Sequence, residues 1–404
     1  MERLRLGVVG LGHRGINMIS TFLNVPNCDV VAVCDKYEER LEQAAKVVKD
    51  TRNFDVKTYD DLENMFKDGG VDAIYVASSW EAHINQAIRC MEVGIPVGME
   101  VGGAYSIKDC WRLVDAYEKT KTPIMMMENC CYDHFEILTT KMVRDGKFGE
   151  IITCHGAYSH DLRNEITGGN VRKHYRLRNY INRNCENYPT HELGPIAKIL
   201  NINRGNRMVS LVSVASKSRG LELYTEDERC PDSTLKGQKF KQADIVNTII
   251  KCENGETITM TLDTTLPGYY SRQFTVKGTK GVANQEANMM LFDGDHDEFY
   301  EPHKTVGKYL NNAEQYKDYL PEYWQNVTEE QIKLGHGGMD FIMCAEFVKC
   351  VMNKLPMPID VYDAAAWYSI TPLTAESIKR NGKPYKIPDF TRGKYKTRKP
   401  EDVL

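Results

Sequence analysis

The stretch that decides the fold runs from residue 5 to residue 15 and reads RLGVVGLGHRG. Its apolar first half has the pattern of a buried strand, and its second half is a G-x-G-x-x-G motif formed by Gly10, Gly12 and Gly15. In such a turn the first glycine permits a tight bend, the second admits a pyrophosphate, and the third lets helix and strand pack closely. A helical pattern follows at residues 16–23. Together these features predict a dinucleotide-binding fold.

The end of the second apolar run narrows the choice of cofactor. Asp35 lies about 20 residues beyond the last glycine, where an acid binds ribose hydroxyls and repels a 2'-phosphate. His13 and Arg14 stand at the start of the helix, whose free N–H groups would receive the phosphates. The alternative is a glycine-rich turn with an aspartate that faces solvent. We predict NAD as the cofactor.

Strands and helices alternate up to about residue 130. The predicted strands are nearly continuous in apolar residues, as strands buried on both faces should be, and cover residues 5–10, 29–35, 72–78, 95–100 and 123–128. Helical patterns lie between them, for example at residues 81–93 and 107–120. This alternation predicts an α/β domain with a doubly wound parallel sheet, an NAD-binding Rossmann domain over residues 1–130.

The carboxyl ends of the later strands supply further candidates for cofactor binding. Ligands of open α/β sheets bind at these ends. Trp80 and His83 follow the third predicted strand, Glu100 and Val101 follow the fourth, and Asn129 follows the fifth. For Trp80 and His83 the alternative is a role in helix capping and packing.

The pattern changes after about residue 150. Strands are predicted at residues 151–158, 208–216, 243–252, 256–263 and 272–278, and Asn254-Gly255 marks a hairpin turn. These strands predict an open antiparallel β-sheet in an α+β domain over residues 131–404, with a role in substrate binding and oligomerisation. Helices are predicted near 191–200, 338–352 and 361–380, and those at about 338–380 are candidates to pack back on the first domain. We interpret residues 289–335 as a long irregular excursion.

Composition excludes several classes of protein. The chain has 404 residues with a net charge of -4, so nothing favours binding to nucleic acid or to an anionic membrane. No segment reaches the roughly 18 apolar residues of a membrane span, and without an export signal we expect a cytoplasmic protein. Twelve cysteines without a Cys-x-x-Cys pair predict buried, reduced thiols and no metal site.

Four runs give the chain a more specific resemblance. They read MENCCY at residues 127–132, GAYSHDLR at 156–163, NYPTHELGP at 187–195 and GHGGMD at 335–340. With the glycine motif, they resemble glycoside hydrolase family 109, which includes NAD-dependent α-N-acetylgalactosaminidases, within the glucose–fructose oxidoreductase / inositol dehydrogenase superfamily. The resemblance extends to about residue 380. The superfamily usually has Glu-Lys-Pro where this chain has Glu100-Val101-Gly102.

The resemblance implies glycoside cleavage through redox chemistry. NAD would oxidise C3 of the sugar, C2 would lose its acidified proton, the C1 group would be eliminated, and water addition would precede regeneration of NAD. The alternatives are an NAD-dependent oxidoreductase that forms 3-keto sugars or 3-keto glycosides, and a silent module that binds sugar or NAD. The predicted partner is a small-molecule glycoside, and an open sheet face favours a homo-oligomer, a dimer or tetramer.

Site residues follow from the same runs. His191 is the first candidate acid/base, since an imidazole titrates at about pH 6.5. Tyr158 is a candidate base at C2, and Tyr188, the third candidate catalytic residue, matches a family position near the nicotinamide and ribose. For each of these residues the alternative is a structural role. For Arg176, a further candidate, the alternative is a surface salt bridge. His160 and Asp161 are expected to orient other groups. The predicted substrate-binding residues are Tyr158, Arg176, Tyr188, Pro189, Thr190, His191 and Tyr270.

Overall fold

The computed structural model describes residues 3–294, 302–399 and 403. The chain divides into two compact units, each assembled from separate stretches of sequence. Unit 1 comprises Met1–Asp133, Gln325–Ala365 and Glu401–Val403. Unit 2 comprises His134–Trp324, Ala366–Pro400 and Leu404. Each unit is considered by itself below.

Unit 1 contains a six-stranded sheet in the order β3-β2-β1-β4-β5-β6, and every neighbouring pair is parallel. The predicted doubly wound parallel sheet is therefore confirmed. β3 is a three-residue strand without a buried residue, so its sequence carries no apolar run by which to predict it. The strands are β1 (Leu4–Val9), β2 (Cys28–Cys34), β3 (Lys57–Tyr59), β4 (Ala73–Val76), β5 (Val97–Glu100) and β6 (Ile124–Met127).

Helices connect these strands, as a parallel sheet requires. Side-chain caps start two of them: Asp61 accepts from the amide of Glu63, and Ser106 accepts from that of Asp109. The apolar face of the first helix packs in the core, where the Phe22 ring lies edge-on to Tyr75 at 5.1 Å. These helices are α1 (His13–Asn24), α2 (Glu38–Arg52), α3 (Leu62–Asp68), α4 (Trp80–Glu92) and α5 (Ile107–Thr120).

Unit 2 contains an eight-stranded sheet in the order β13-β12-β11-β7-β10-β9-β8-β14. The strands are β7 (Ile151–Ser159), β8 (Met208–Ala215), β9 (Ile245–Cys252), β10 (Thr257–Asp263), β11 (Thr275–Gly278), β12 (Gly281–Asn284), β13 (Met289–Phe292) and β14 (Tyr385–Lys386).

The pairing in this sheet confirms one prediction and corrects another. β9 and β10 form the predicted antiparallel hairpin, and Gly255 in its turn has a φ of +105° that favours glycine. The predicted antiparallel sheet is confirmed for the other neighbouring pairs, but β7 and β10 pair in parallel, so the sheet is mixed. The sequence could not show this pair, since two other strands separate its members along the chain.

Short helices surround this sheet in the described part of unit 2. They are α6 (His134–Arg144), α7 (Arg163–Thr167), α8 (Arg176–Asn182), α9 (Thr190–Ile199), α10 (Gly220–Tyr224), α11 (Pro302–Tyr309) and α12 (Glu322–Gln325). β13, α11 and α12 form within residues 289–335, so the interpretation of this range as irregular is wrong at these elements. Elements of one or two turns are too short to show a periodicity. Residues 295–301 of that range lie outside the described residues.

The remaining helices are α13 (Glu329–Ile332), α14 (Met339–Asn353), α15 (Val361–Tyr368) and α16 (Ile370–Lys379). A single helix over 361–380 is wrong: it breaks after Tyr368, and Pro372 in the first turn of α16 has no amide for the carbonyl of Tyr368. The helices predicted at 338–380 are candidates to pack on the first domain. In the structure, this range is divided: residues up to Ala365 belong to unit 1, and residues from Ala366 onwards belong to unit 2.

Two findings concern the whole described chain. None of its helices has the length and the apolar character that a bilayer crossing demands. All twelve cysteines lie within the described residues as free thiols, and eleven of them are buried. This agrees with the prediction of buried, reduced cysteines.

Candidate active site

The glycine turn between β1 and α1 depends on missing side chains. Gly10 has a φ of +88°, and a Cβ there would lie 2.4 Å from the backbone of Ser78. A Cβ on Gly15 would lie 1.9 Å from the carbonyl oxygen of Gly10. At Gly12, by contrast, the nearest atom to an added Cβ is on the Arg40 side chain, 4.0 Å away. The turn is therefore tightly packed at Gly10 and Gly15 and open at Gly12.

The start of α1 offers backbone donors. Gly12 is the residue before the helix and has no side chain to cap it, so the first amides of α1 keep their N–H groups for a ligand. A helix N-terminus of this kind favours an anion through its dipole and its free donors. His13 is exposed on the first turn, with its Nε2 3.3 Å from Asn17 Nδ2.

Asp35 closes the same region from the end of β2. Its Oδ2 accepts from the amide of Leu11 at 2.7 Å, and its Oδ1 accepts from that of Tyr37 at 3.1 Å. Arg40 Nη1 lies 3.6 Å from Oδ2. A cavity of about 530 Å³ that is open to solvent adjoins this carboxylate. It is lined by Asp35, Lys36, Glu38, Leu41, Thr58, Tyr59, Asp60 and Asn64.

Three of the predicted cofactor residues belong to one buried polar network. Arg14 donates to Glu100 Oε1 at 2.9 Å and, through two nitrogens, to Asp340 at 2.7 and 2.9 Å. Asn129 Nδ2 donates to Asp340 Oδ1 at 2.8 Å, and the Tyr75 hydroxyl donates to Glu100 at 2.5 Å. Burial alone would raise the pKa of Asp340, but Arg14 and a neighbouring histidine hold it well below its ordinary value. The network fixes these residues in place.

Trp80, His83 and Val101 are buried beside the network. Trp80 is the first residue of α4, and a Cβ on Gly102 would lie 2.6 Å from its Cδ1. His83 Nε2 lies 2.6 Å from the carbonyl oxygen of Ser78, and burial lowers the pKa of His83. The packing role weighed for Trp80 and His83 is therefore present; whether they or Val101 also contact a cofactor stays a prediction.

In unit 2, three predicted catalytic residues lie in one cluster. The Tyr158 ring, near the end of β7, lies 4.6 Å from the Tyr188 ring and 5.5 Å from the His191 ring, measured between centroids. The Tyr188 and His191 rings are 4.8 Å apart. Pro189 precedes α9 and Thr190 begins it, so the start of this helix carries the predicted run. We call these three side chains the Tyr–His cluster.

His160 and Tyr270 extend this cluster. The Tyr158 hydroxyl lies 3.4 Å from His160 Nδ1, and the Tyr270 ring is 5.2 Å from the His160 ring. Burial, together with the charge of Arg176, lowers the pKa of His160, so the ring is neutral at pH 7 and can accept a hydrogen bond from a phenol. Asp161 instead binds Arg163, at 2.8 and 2.6 Å.

Arg176 supplies the positive charge of the cluster. Its guanidinium carbon lies 5.0 Å from the centre of the Tyr188 ring, and its Nε lies 2.8 Å from Glu165 Oε1. The Arg176 side chain is buried, whereas that of Glu165 is 41% exposed, so the salt bridge weighed as the alternative role of Arg176 is present with only one of its partners buried. Burial lowers the pKa of Arg176, but Glu165 together with Tyr158, Tyr175 and Tyr180 more than offsets this, and the pKa of Arg176 is raised. Thr190 Oγ1 is buried and has no hydrogen-bond partner among the described residues.

Sequence reasoning missed the support behind Tyr270. Arg272 Nη1 donates to the Tyr270 hydroxyl at 3.2 Å, and its Nε donates to the buried Glu136 at 2.7 Å. Gln285 donates to both oxygens of Glu136 at 2.9 and 3.0 Å. Arg272 could have been found by its place beside Tyr270. Glu136 gave no signal, because its partners lie more than 130 residues away.

A second missed group lies in unit 1, within the quoted run GHGGMD. His336 Nδ1 lies 2.7 Å from Asp340 Oδ2, while most of the His336 side chain is exposed. Gly335, His336, Gly337 and Gly338 all have positive φ, so the backbone of this loop requires its glycines. An exposed imidazole oriented by a carboxylate can carry a proton. In the sequence, this run points to family 109 by resemblance alone and does not single out His336.

The two units define a class of protein: an enzyme with a dinucleotide-binding domain and a second domain that carries phenol, imidazole and guanidinium groups suited to hydroxyl-bearing substrates. Residues 4–128 match a family model described as "Oxidoreductase family, NAD-binding Rossmann fold", and residues 132–397 match "Glycosyl hydrolase 109, C-terminal domain". The chain belongs to glycosyl hydrolase family 109 and is an NAD-dependent glycoside hydrolase by that membership.

Named relatives agree with this assignment. A protein of Tannerella forsythia named alpha-N-acetylgalactosaminidase is 36% identical over 99% of this chain and 89% of its own length. One of the same name from Bacteroides fragilis is 35% identical over 98% of this chain and 94% of its own. Among solved structures, apo scyllo-inositol dehydrogenase from Lactobacillus casei has a TM-score of 0.67 at 12% identity, over 96% of this chain and 98% of that one. This last likeness shows the fold alone.

Proposed function

We propose that the protein cleaves α-N-acetylgalactosaminides or related glycosides by transient oxidation at C3, with NAD regenerated in every cycle. The observation that carries this proposal is the composition of the Tyr–His cluster. A glycosidase without a cofactor places two carboxylates on either side of the bond it cleaves. This cluster offers two phenols and an imidazole instead, with the imidazole of His160 and the guanidinium of Arg176 beside it, and the carboxylate of Glu165 is bound to Arg176.

Unit 1 fits NAD. The open face at Gly12, the uncapped start of α1 and the carboxylate of Asp35 beside a large cavity suit the pyrophosphate and the adenosine ribose. When bound, NAD would take a hydride from sugar C3 and return it after cleavage. Asp35 disfavours a 2'-phosphate, which supports NAD over NADP.

The residues of unit 2 would move the protons and hold the sugar. A ketone at C3 acidifies the C2 proton, and Tyr158 would remove that proton, helped by the neutral His160 beside its hydroxyl. His191 would serve as an acid/base for the C3 hydroxyl or the departing group, and Tyr188 would lie against sugar and cofactor. Arg176 and the buried Thr190 hydroxyl would bind sugar hydroxyls.

The test is turnover of nitrophenyl α-N-acetylgalactosaminide in deuterated water. We expect nitrophenol release, deuterium at C2 of the released sugar, and no growth of NADH absorbance, because the hydride is returned. Nitrophenol release without deuterium at C2 would rule out the elimination route. NADH that accumulates one for one with product would favour the alternative, an oxidoreductase that makes 3-keto sugars. A parallel screen of other nitrophenyl glycosides would identify the preferred sugar and anomer.

A further inference from the structure

Two glutamates inside unit 2 flank the residues that carry the Tyr–His cluster. Glu186 precedes Tyr188 by two positions, and Glu192 follows His191 directly. Both side chains are buried, at 0% and 1% exposure. One oxygen of each accepts a backbone N–H: Glu186 Oε1 from Tyr188 at 3.1 Å, and Glu192 Oε2 from Thr261 at 2.9 Å. The remaining oxygens, Glu186 Oε2 and Glu192 Oε1, are fully buried.

Neither of these two oxygens has a hydrogen-bond partner among the other groups of the described chain, and the carboxyl groups lie close enough to interact, so a hydrogen bond between them is the one left to form. Carboxylate oxygens only accept, so such a bond requires a proton on one of them. Neither carboxyl forms a salt bridge with a cation of the described chain, in contrast to Glu136, which pairs with Arg272. Burial raises the pKa of Glu186 to about 8, and burial together with Glu186 raises that of Glu192 well above its ordinary value. Two like carboxyls in a buried site cannot both ionise near neutral pH.

The pair connects the elements of the cluster. Thr261, which donates to Glu192, lies on β10 opposite Ala157 of β7, the neighbour of Tyr158. Beside it α9 approaches β7 so closely that a Cβ on Gly156 would lie 2.4 Å from the carbonyl oxygen of Glu192. Glu186 also donates its amide to Thr374 Oγ1 on α16. The pair therefore joins the segment that bears Tyr188 and His191 to the strand that bears Tyr158.

We propose that Glu186 and Glu192 act as one protonated carboxyl pair that positions Tyr188 and His191 against Tyr158, and that loss of its proton releases this arrangement. Both glutamates are buried and would act through Tyr188 and His191, so we assign them as positioning residues. The statement about catalysis rests on the proposed glycosidase function. The statement about the pair itself does not.

The groups around the pair determine what deprotonation does. The Tyr180 hydroxyl of α8, which is bound to Thr264, and the Thr261 amide of β10 lie next to the pair. Gly156 of β7 and Thr374 of α16 also pack against it. On α9 itself, the titratable group next to Glu192 is His191. Arg144 of α6 donates to the Lys198 carbonyl at the far end of α9. Loss of a proton from the pair therefore places a negative charge at a buried site where no cation pairs with it.

The direction of the pH dependence follows from linkage. In the unfolded chain a glutamate titrates near pH 4.3. The folded protein holds the pair's proton up to about pH 8, so unfolding releases it at any pH between these values. Stability therefore falls as pH rises through this window. Glu186→Gln removes one titrating group, while its amide can donate to Glu192 and its oxygen can accept from Tyr188.

The first experiment needs no turnover. The free energy of unfolding is measured between pH 5 and pH 9 for the wild type, Glu186→Gln and the control Glu228→Gln, whose side chain is exposed. We expect the stability of the wild type and of the control to fall in parallel as the pH rises. Glu186→Gln should release one proton fewer on unfolding, so its unfolding constant should rise about tenfold less for each pH unit. Parallel curves for all three proteins would overturn the shared proton.

The second experiment tests positioning by amide exchange over residues 186–193 and by rate against pH. Relative to the intrinsic exchange rate, we expect the wild-type segment to exchange faster above pH 8 and Glu186→Gln to stay protected. Its kcat should hold to higher pH than that of the wild type, while Glu186→Ala should lower kcat by about 10- to 100-fold at every pH. Equal alkaline limits in wild type and Glu186→Gln would overturn the positioning role. If no glycoside is cleaved, the exchange and unfolding results still decide the pair.

Discussion

At the scale of single residues, Tyr158 has the surroundings of a base. A phenol keeps its proton to about pH 10 in water, so it serves as a base only where neighbours favour the phenolate. His160 can accept the proton of its hydroxyl, and the buried positive charge of Arg176 interacts with Tyr158. Both neighbours therefore favour removal of the proton when a substrate with an acidic C–H group is bound.

The variant Tyr158→Phe keeps the ring and removes the acidic group. We expect kcat on a nitrophenyl glycoside to fall by about 10²- to 10⁴-fold, the usual contribution of general acid–base catalysis. Thermal unfolding should change little, because the ring contacts remain. Tyr385→Phe, on the edge strand β14 of the same sheet, is the matched control and should keep full activity. A Tyr158→Phe enzyme as fast as the control would exclude Tyr158 as the base.

Glu136 gives a second prediction at this scale, one of stability. Glu136→Ala leaves Arg272 as a buried cation without its partner, and breaking a buried pair in this way costs about 3–5 kcal/mol. Urea unfolding should show this loss, with a smaller loss for Glu136→Gln. Glu63→Ala, which breaks an exposed pair with Arg89, should change stability little. Equal effects of the Glu136 and Glu63 changes would contradict the buried-pair argument.

At the scale of elements, the sequence predicts those whose signal is local. The helix over residues 107–120 has the predicted bounds, and the strands of the glycine turn lie within one residue of them. The parallel pairing of β7 with β10 and the partnership of Glu136 with Arg272 depend on distant stretches of chain meeting, and no local pattern encodes that. In the candidate site, the sequence found the residues of the Tyr–His cluster but not the carboxyl groups behind them.

The contact of α9 with β7 is the element-scale feature most open to a test. Gly156→Ala would place a Cβ 2.4 Å from the Glu192 carbonyl, so helix and strand must separate. We expect a loss of about 1–3 kcal/mol in unfolding free energy and a clear loss of activity, since the cluster depends on this contact. Gly307→Ala, where an added Cβ meets nothing within 4 Å, is the control. Unchanged stability and activity in Gly156→Ala would show that α9 tolerates the shift.

At the scale of the whole molecule, fold and chemistry lead to different expectations. Several solved structures that share this fold, at identities of 16% or less, are named as dehydrogenases or oxidoreductases. Family 109 membership, shown over the whole chain, makes this protein a hydrolase instead. The redox proposal accounts for both facts, because it uses a dehydrogenase fold to make a glycosidic bond easy to break. Function therefore follows from the site carried by the fold.

The open face of the unit 2 sheet bears on assembly. Val214 of β8 and Ile249 of β9 are 60% and 50% exposed, and the pairing of Ile249 with Val212 places them on one face. Exposed apolar side chains on a sheet favour coverage by a second copy, so we predict a dimer or tetramer. Ile249→Lys should lower the mass measured by light scattering at micromolar concentration and leave the circular dichroism unchanged. Leu223→Lys, an equally exposed leucine on α10, should not. A monomeric wild type would refute the prediction, and an assembly untouched by Ile249→Lys would locate its interface elsewhere.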